Sequence, residues 1–475
     1  MALVWCRVVL AALTLLSAAC APIPPPSLTW SDCGDGFQCT RLQVPLDHAN
    51  PAADRISISV IRLPATGDRI GSLFINPGGP GTSGIDYTRA APAIFPQSLR
   101  SRFDIVGFDP RGVGQSTPIK CLPDAELAAF IAMDSTPDTP AERAKLERAS
   151  KDLARACQRR SGTLLPHVST TEAARDMDLL RAALGEEKLT YLGKSYGTYL
   201  GATYAHLFPA RVRAMVLDGA IDPTLSRERL NLDQAIAFET AYAEYAKTCP
   251  RSTTCPFTNE ESAQSTLHTL LKKTDTTPLT SEQTRPVPES LTTLGVLASL
   301  YDRTTWPILS ESLTQAQSGD GTLLLTSADN LVGRNEDGTY TNQTESGLAI
   351  TCADTPHPTP DKLSQAASES TTSAPNFGPY IMWSTLPCAY WPPPKTPPPT
   401  PKAPGTPPLL VIGTTRDPAT PYSWSQSLTD HLKSATLLTY EGDGHTAYSN
   451  GSTCIDNQVN RYLTTLTTPP PGTRC

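Results

Sequence analysis

The segment Gly193-Lys194-Ser195-Tyr196-Gly197 has the form Gly-x-Ser-x-Gly. It lies between a short apolar run, Leu189 to Leu192, and a stretch of helical character that reaches about Phe208. A sharp turn from strand to helix exposes a serine hydroxyl as a nucleophile, and flanking glycines let neighbouring backbones close in around it. The start of the helix adds a positive dipole end where an oxyanion forms on an attacked carbonyl. Ser195 is therefore the candidate nucleophile, against the plainer alternative of an ordinary glycine turn.

A serine oxygen needs a base, and the base needs an orienting acid. After a turn of this kind, acid and then histidine follow the nucleophile along the chain. Leu409 to Gly413 reads as a strand leading to Asp417, and Ala435 to Tyr440 as a strand leading to His445 in a glycine-rich loop. Asp417 is the expected acid and His445 the expected base. Asp218, at the end of a strand from Val212 to Leu217, competes for the acid's place. His206 falls within the helix after the nucleophile and reads as a face residue. The oxyanion donors are expected from an early strand end together with the amide after the nucleophile. The string Asn76-Pro-Gly78-Gly79-Pro-Gly81 supplies Gly78 or Gly79, and Tyr196 supplies the second amide.

Placing these three loops side by side requires a sheet. Strand candidates are Ile56 to Leu63, Gly71 to Asn76, Phe103 to Phe108 and the four already named. A helix is expected over Thr171 to Leu184, with a capping start in Ser169 to Glu172. Such alternation predicts an α/β fold, a mostly parallel sheet with helices on both faces and active residues at the carboxyl ends of the strands. From about Pro223 to Pro387 the strand rhythm stops. Helices and Ser/Thr-rich connections there predict an inserted helical lid, in which Phe238, Tyr242 and Tyr245 form a core face. Trp391 to Pro408 is too rich in proline for helix or central strand, and a last helix is expected from Thr453 to Leu466. The expected divisions are 1–20 signal peptide, 21–32 tether, 33–222 first part of the core, 223–387 lid and 388–475 remainder of the core.

The chain has 475 residues with 39 basic and 46 acidic side chains, a formal charge of -7, and no block of Lys or Arg. That excludes the basic footprint of nucleic-acid binding. Proline, 46 residues, is about twice its usual ~5% share and is most concentrated in two tracts that read as spacers. Met1 to Cys20 carries Arg7, an apolar run from Val8 to Leu16, and then Ser17-Ala-Ala-Cys20. The run is too short to span a bilayer permanently and reads as a signal peptide. Small residues before Cys20 resemble a bacterial lipobox, which makes Cys20 a lipidation candidate and Ala21 to Ser27 a tether; a plain secretory cut is the alternative, since Ser17 stands where Leu is usual. Setting aside Cys6 and Cys20 leaves ten cysteines, an even number that fits five disulfides between sequential neighbours in an oxidising compartment. No Cys-x-x-Cys pair occurs and no histidine lies near Cys249 and Cys255, so neither metal nor cofactor is expected.

The strings Asn76 to Gly81, Asp109-Pro-Arg111-Gly-Val-Gly-Gln-Ser116, Gly193 to Gly197, Cys388-Ala-Tyr-Trp391-Pro392, Asp417-Pro-Ala-Thr420-Pro421 and Gly444-His445 together resemble one family. It is that of the secreted, proline-iminopeptidase-like α/β-hydrolases, which includes actinobacterial tripeptidyl aminopeptidases and related mycobacterial cell-envelope serine hydrolases. The resemblance covers about Cys33 to Cys475. It implies catalytic Ser195, Asp417 and His445, Thr420 as a supporting hydroxyl, and a helical lid that recognises the amino end of a peptide. Expected partners are peptides or proteins with free amino termini, contact with a membrane comes only through the lipid, and the chain is expected to be a monomer. A lid that counts residues from an amino end must meet an ammonium, for which Glu239 and Glu244 on the helix Asn231 to Lys247 are candidates, solvated surface being the alternative for either. The rival readings are a carboxylesterase or lipase of the same fold and a binding lipoprotein without turnover.

Overall fold

The computed structural model describes residues 28–251, 255–393 and 399–475. Cys20, the signal peptide and most of the tether lie outside the described residues. Nine strands form one sheet: β1 (Ser31–Asp32), β2 (Gln38–Pro45), β3 (Arg55–Leu63), β4 (Gly71–Asn76), β5 (Phe103–Phe108), β6 (Leu189–Lys194), β7 (Val212–Asp218), β8 (Leu409–Arg416) and β9 (Ala435–Asp443). Their order is β1-β2-β3-β5-β4-β6-β7-β8-β9. The first three strands and the β3/β5 pair run antiparallel, while β5 through β9 form a parallel block.

Period-two alternation shows why these segments are strands. Phe74 enters the core on one face of the sheet with Val106, Tyr191 and Leu217, while Leu73 and Ile75 enter the other with Ile105, Leu192 and Val216. Both faces are covered, so the central strands read as continuous apolar runs. Ser169 accepts a hydrogen bond from the amide of Glu172 and caps the helix Thr170–Ala183, as its sequence indicates. The two ends of β4 and β6 that matter are adjacent, with Asn76 opposite Gly193. Strand β5 lies on one side of β4 and β6 on the other, so the crevice at their carboxyl ends is a topological switch point.

Between β7 and β8 the chain leaves the sheet and builds a separate helical body. Phe238, Tyr242 and Tyr245 of the helix Arg227–Thr248 pack in its core with Leu267, Leu300, Leu309, Leu324 and Phe377. The expected aromatic core face is therefore present. Five disulfides join sequential neighbours as expected: Cys33–Cys39, Cys121–Cys157, Cys249–Cys255, Cys352–Cys388 and Cys454–Cys475. Among the described residues no helix is long and apolar enough to cross a membrane.

Candidate active site

Ser195 stands between β6 and the helix Tyr196–Leu207 with φ 54° and ψ −124°. A non-glycine residue at positive φ costs on the order of 1–3 kcal/mol and persists only where its surroundings hold it. Here they do: the Ser195 amide donates to the carbonyl of Asp218 on the neighbouring strand at 2.9 Å, and the amide of Thr198 donates to the Ser195 carbonyl. The side chain is thereby held out of the helix, into a cleft of about 420 Å³ that it shares with His445, Tyr301, Gly79, Gln343, Leu348 and Thr351, among others.

His445 lies in the loop after β9, with Nδ1 2.9 and 3.0 Å from the two carboxylate oxygens of Asp417 in the loop after β8. That carboxylate is buried and fully engaged. Oδ1 accepts the amides of Ala419 and Thr420, and Oδ2 accepts the Thr420 hydroxyl at 3.0 Å and the Thr446 amide at 3.2 Å. The Thr420 hydroxyl also lies 3.3 Å from His445 Nδ1, so it braces both groups. With Nδ1 turned to the acid, Nε2 is the ring nitrogen left to take a proton from Ser195.

Asp218 is not the partner of the imidazole. Its oxygens accept the amides of Ala447 and Tyr448, just beyond His445. Burial pushes its carboxyl above the usual carboxylate range, against the pull of Lys194. His206 lies in the elbow helix near Lys402, away from the cleft. The structure thus brings together Ser195, Asp417, His445 and Thr420 and leaves both alternatives outside.

The oxyanion loop needs one correction. The Gly78 amide donates to Asn76 Oδ1 at 3.0 Å, so it is spent on shaping its own turn. Gly79 and Tyr196 are the amides left without a protein acceptor among the described residues. Gly78 is required for another reason: at φ 106°, a Cβ there would sit 2.8 Å from Ser195 Cβ and 2.7 Å from the Lys194 carbonyl. The loop packs directly against the elbow, and glycine is what lets it. Asp109, in the Asp-Pro-Arg string, accepts from Ser83 Oγ and the amides of Ile85 and Gln115, tying the loop after β5 to the residues that follow the oxyanion loop. Arg111 is wholly buried, reaching both oxygens of Asp176 and the carbonyls of Leu46 and His167. That string builds the site's frame.

The helical insertion contributes residues that the sequence did not single out. Tyr301, at the end of the helix Glu289–Leu300, accepts the His445 amide on its carbonyl at 2.7 Å, and its ring meets the imidazole edge-on at 5.4 Å. The helix Gln343–Asp354 forms one wall of the cleft and is pinned to the core. Asn342 spans Gly112, Gly114 and Ile119, Glu345 accepts the amides of Cys121 and Leu122, and Asp354 accepts from Thr170. Neither Glu239 nor Glu244 reaches the cleft. With its neighbour Phe238 in the helical core, Glu239 accepts from the amides of Asn376 and Phe377 and from the Asn376 side chain, while Glu244 pairs with Lys247 on the surface. Among the described residues, those lining the cleft include no carboxylate.

Fold and site together define an α/β-hydrolase with Ser195 on a strand-to-helix elbow. The profile of the family described as "TAP-like protein" matches residues 373–475, the part that carries Asp417 and His445. The chain is 38% identical to the serine protease Hip1 of Mycobacterium tuberculosis over 93% of its own length and 87% of the relative's. It is equally 38% identical to carboxylesterase B of the same organism, over 96% and 91%, and 32% identical to the tripeptidyl aminopeptidase of Streptomyces lividans, over 94% and 86%. The chain belongs to this family of TAP-like α/β-hydrolases and is a serine hydrolase.

Proposed function

We propose that the enzyme is an exported aminopeptidase that releases short peptides, tripeptides foremost, from free amino termini through an acyl-enzyme. Ser195 attacks the scissile carbonyl, His445 takes its proton and returns it to the leaving amine, and Asp417 orients the imidazole and balances its charge. The Thr420 hydroxyl braces acid and base, and the amides of Gly79 and Tyr196 hold the oxyanion. The observation that carries this reading is the meeting of Ser195 and the Asp417-bound His445 in one cleft roofed by the insertion, which is consistent with relatives named as a protease and a tripeptidyl aminopeptidase. Residues 223–387 act as the lid on a core of 33–222 and 388–475. Five disulfides support an oxidising compartment, and Cys20 is the proposed lipid attachment of a monomeric envelope enzyme.

A second reading, a carboxylesterase, is favoured by one observation: the cleft offers neutral groups such as Gln343, Thr344 and Thr351 but no carboxylate to an ammonium. Three extended residues span about 10 Å, and under the first reading the amino end of a tripeptide meets neutral groups of the cleft and not a carboxylate. Acetylating it then lowers kcat/KM by about tenfold, the scale of one hydrogen bond of ~1.4 kcal/mol. The test compares a tripeptide anilide, its N-acetyl twin and a short-chain aryl ester. Cleavage of the free peptide ahead of its twin supports the aminopeptidase. Equal rates on both peptides indicate an endopeptidase, and fast ester turnover with neither peptide cut assigns the carboxylesterase.

A further inference from the structure

Two residues beside the triad have no part in the chemistry described so far. Lys194 is the last residue of β6 and Asp218 the last of β7, and they are register partners across the sheet. The Lys194 ammonium donates to the Tyr448 carbonyl at 2.6 Å, and the Asp218 carboxylate accepts the amides of Ala447 and Tyr448 at 2.9–3.1 Å. The backbone carbonyl of the same Asp218 accepts the Ser195 amide. One residue therefore grips the nucleophile with its main chain and the histidine loop with its side chain, while its sheet neighbour grips that loop from the other polarity. The loop needs outside support, since Gly444 at φ 104° and Thr446 at φ 65° have no regular structure to fix them.

We propose that Lys194 and Asp218 are a positioning pair for the catalytic histidine, fixing the His445 loop against the elbow and keeping a buried carboxylate electrically balanced beside the imidazole. This rests on the Ser195 and His445 roles proposed above. A buried carboxylate without a cation is costly, and a buried ammonium without an anion is equally so. The Asp218 charge reaches both Lys194 and His445. Burial lowers the Lys194 ammonium from its usual range while Asp218 opposes that fall.

The other groups facing this region are accounted for. Asp417 and the ring of Tyr301 meet His445 directly. Asp456 of the helix Thr453–Thr465 faces Lys194, and Tyr87 faces Asp218. Asp443, the last residue of β9, is matched by Arg416 and Arg303. Removing Lys194 takes a positive charge, and removing Asp218 a negative one, from the surroundings of the imidazole, so the two variants act on it with opposite signs.

The experiment uses the full chain and the rate constant of fluorophosphonate labelling against pH, which requires Ser195 and His445 but no particular substrate. Lys194→Met leaves Asp218 unopposed, favours the imidazolium and moves the acid-side midpoint up by about half a pH unit or more; Asp218→Asn moves it down by a similar amount. Each single variant lowers the plateau rate about tenfold or more, and the double variant brings the midpoint back toward wild type. Unchanged midpoints, or shifts in the same direction, in variants with native circular dichroism would overturn the proposal. Should Asp218→Asn fail to fold, the upward shift of Lys194→Met and its absence decide the matter alone. A folded wild type that takes no label sinks the serine reading itself, and the pair with it.

Discussion

Replacing Asp417 by Asn tests the arrangement of acid and base at one atom. The carboxylate accepts two amides on Oδ1 and an amide and a hydroxyl on Oδ2, and it faces His445 Nδ1 with both oxygens. A carboxamide keeps one acceptor oxygen. With that oxygen in the Oδ1 place, satisfying Ala419 and Thr420, the NH₂ group falls in the Oδ2 place. There the Thr420 hydroxyl can turn to accept, but the Thr446 amide loses its acceptor, a loss of about 1–3 kcal/mol in stability. More serious for turnover, an NH₂ donor facing Nδ1 favours the tautomer with its proton on Nε2, which cannot take the Ser195 proton. The expected loss in kcat is about 10³- to 10⁴-fold, or roughly 4–5.5 kcal/mol of barrier. Asp218→Asn, which disturbs the loop but not the tautomer, falls about tenfold. Steady-state kinetics on whichever reporter the wild type cleaves best, with folding checked by circular dichroism, measures both. A folded Asp417→Asn that keeps a tenth of wild-type kcat, or a reversed ranking of the two variants, would refute the reasoning.

Further expectations concern the frame and the insertion. Gly347→Ala puts a Cβ 2.4 Å from the Pro80 carbonyl, forcing the wall helix off the oxyanion loop. Although Ala normally gains about 1 kcal/mol over Gly within a helix, this variant should lose stability and at least tenfold in kcat, as read by thermal melting and kinetics. Removing Cys352–Cys388 by double alanine substitution opens a 36-residue separation that ties the wall helix to the chain entering the last part of the sheet. A loss of about 2–5 kcal/mol in denaturant unfolding is expected. Glu289 is raised to about 7 by burial. Its contribution to stability is therefore present below the unfolded value of 4.5 and lost as pH rises through about 7. Glu289→Gln should gain on wild type across that window, at most ~1.4 kcal/mol per unit of displacement, and a parallel pair of stability–pH curves would contradict this.

Much of the fold was legible because the central strands are buried on both faces. Gly71–Asn76 and Phe103–Phe108 have the ends the sequence indicates, the other five expected strands differ only by short extensions such as Leu409 to Arg416, and β1 and β2 were not expected. Strand β2 escaped because Gln38, Thr40, Arg41 and Gln43 interrupt its apolar positions: only one face of this strand near the edge meets the core. Ser195, Asp417 and His445 were legible because each sits at a strand end in a recognisable string. Tyr301 was not, since a carbonyl that accepts the His445 amide has no side-chain signature and is 144 residues away in sequence. The choice between Gly78 and Gly79 depended on where the Asn76 side chain turned, which residue types cannot tell. Glu239 misled for a similar reason: a carboxylate on a lid helix serves a substrate or a neighbouring loop with the same chemistry, and here it serves the loop at Asn376.

The central claim is that Ser195 is the nucleophile, activated by His445. Incubating the folded full chain with a fluorophosphonate and mapping the adduct by peptide mass spectrometry tests it most directly. One adduct, on the peptide containing Ser195, is expected in the wild type, with none in Ser195→Ala and labelling slowed by about 10³-fold or more in His445→Ala. Stoichiometric labelling of another residue, or an undiminished rate without His445, would contradict the account.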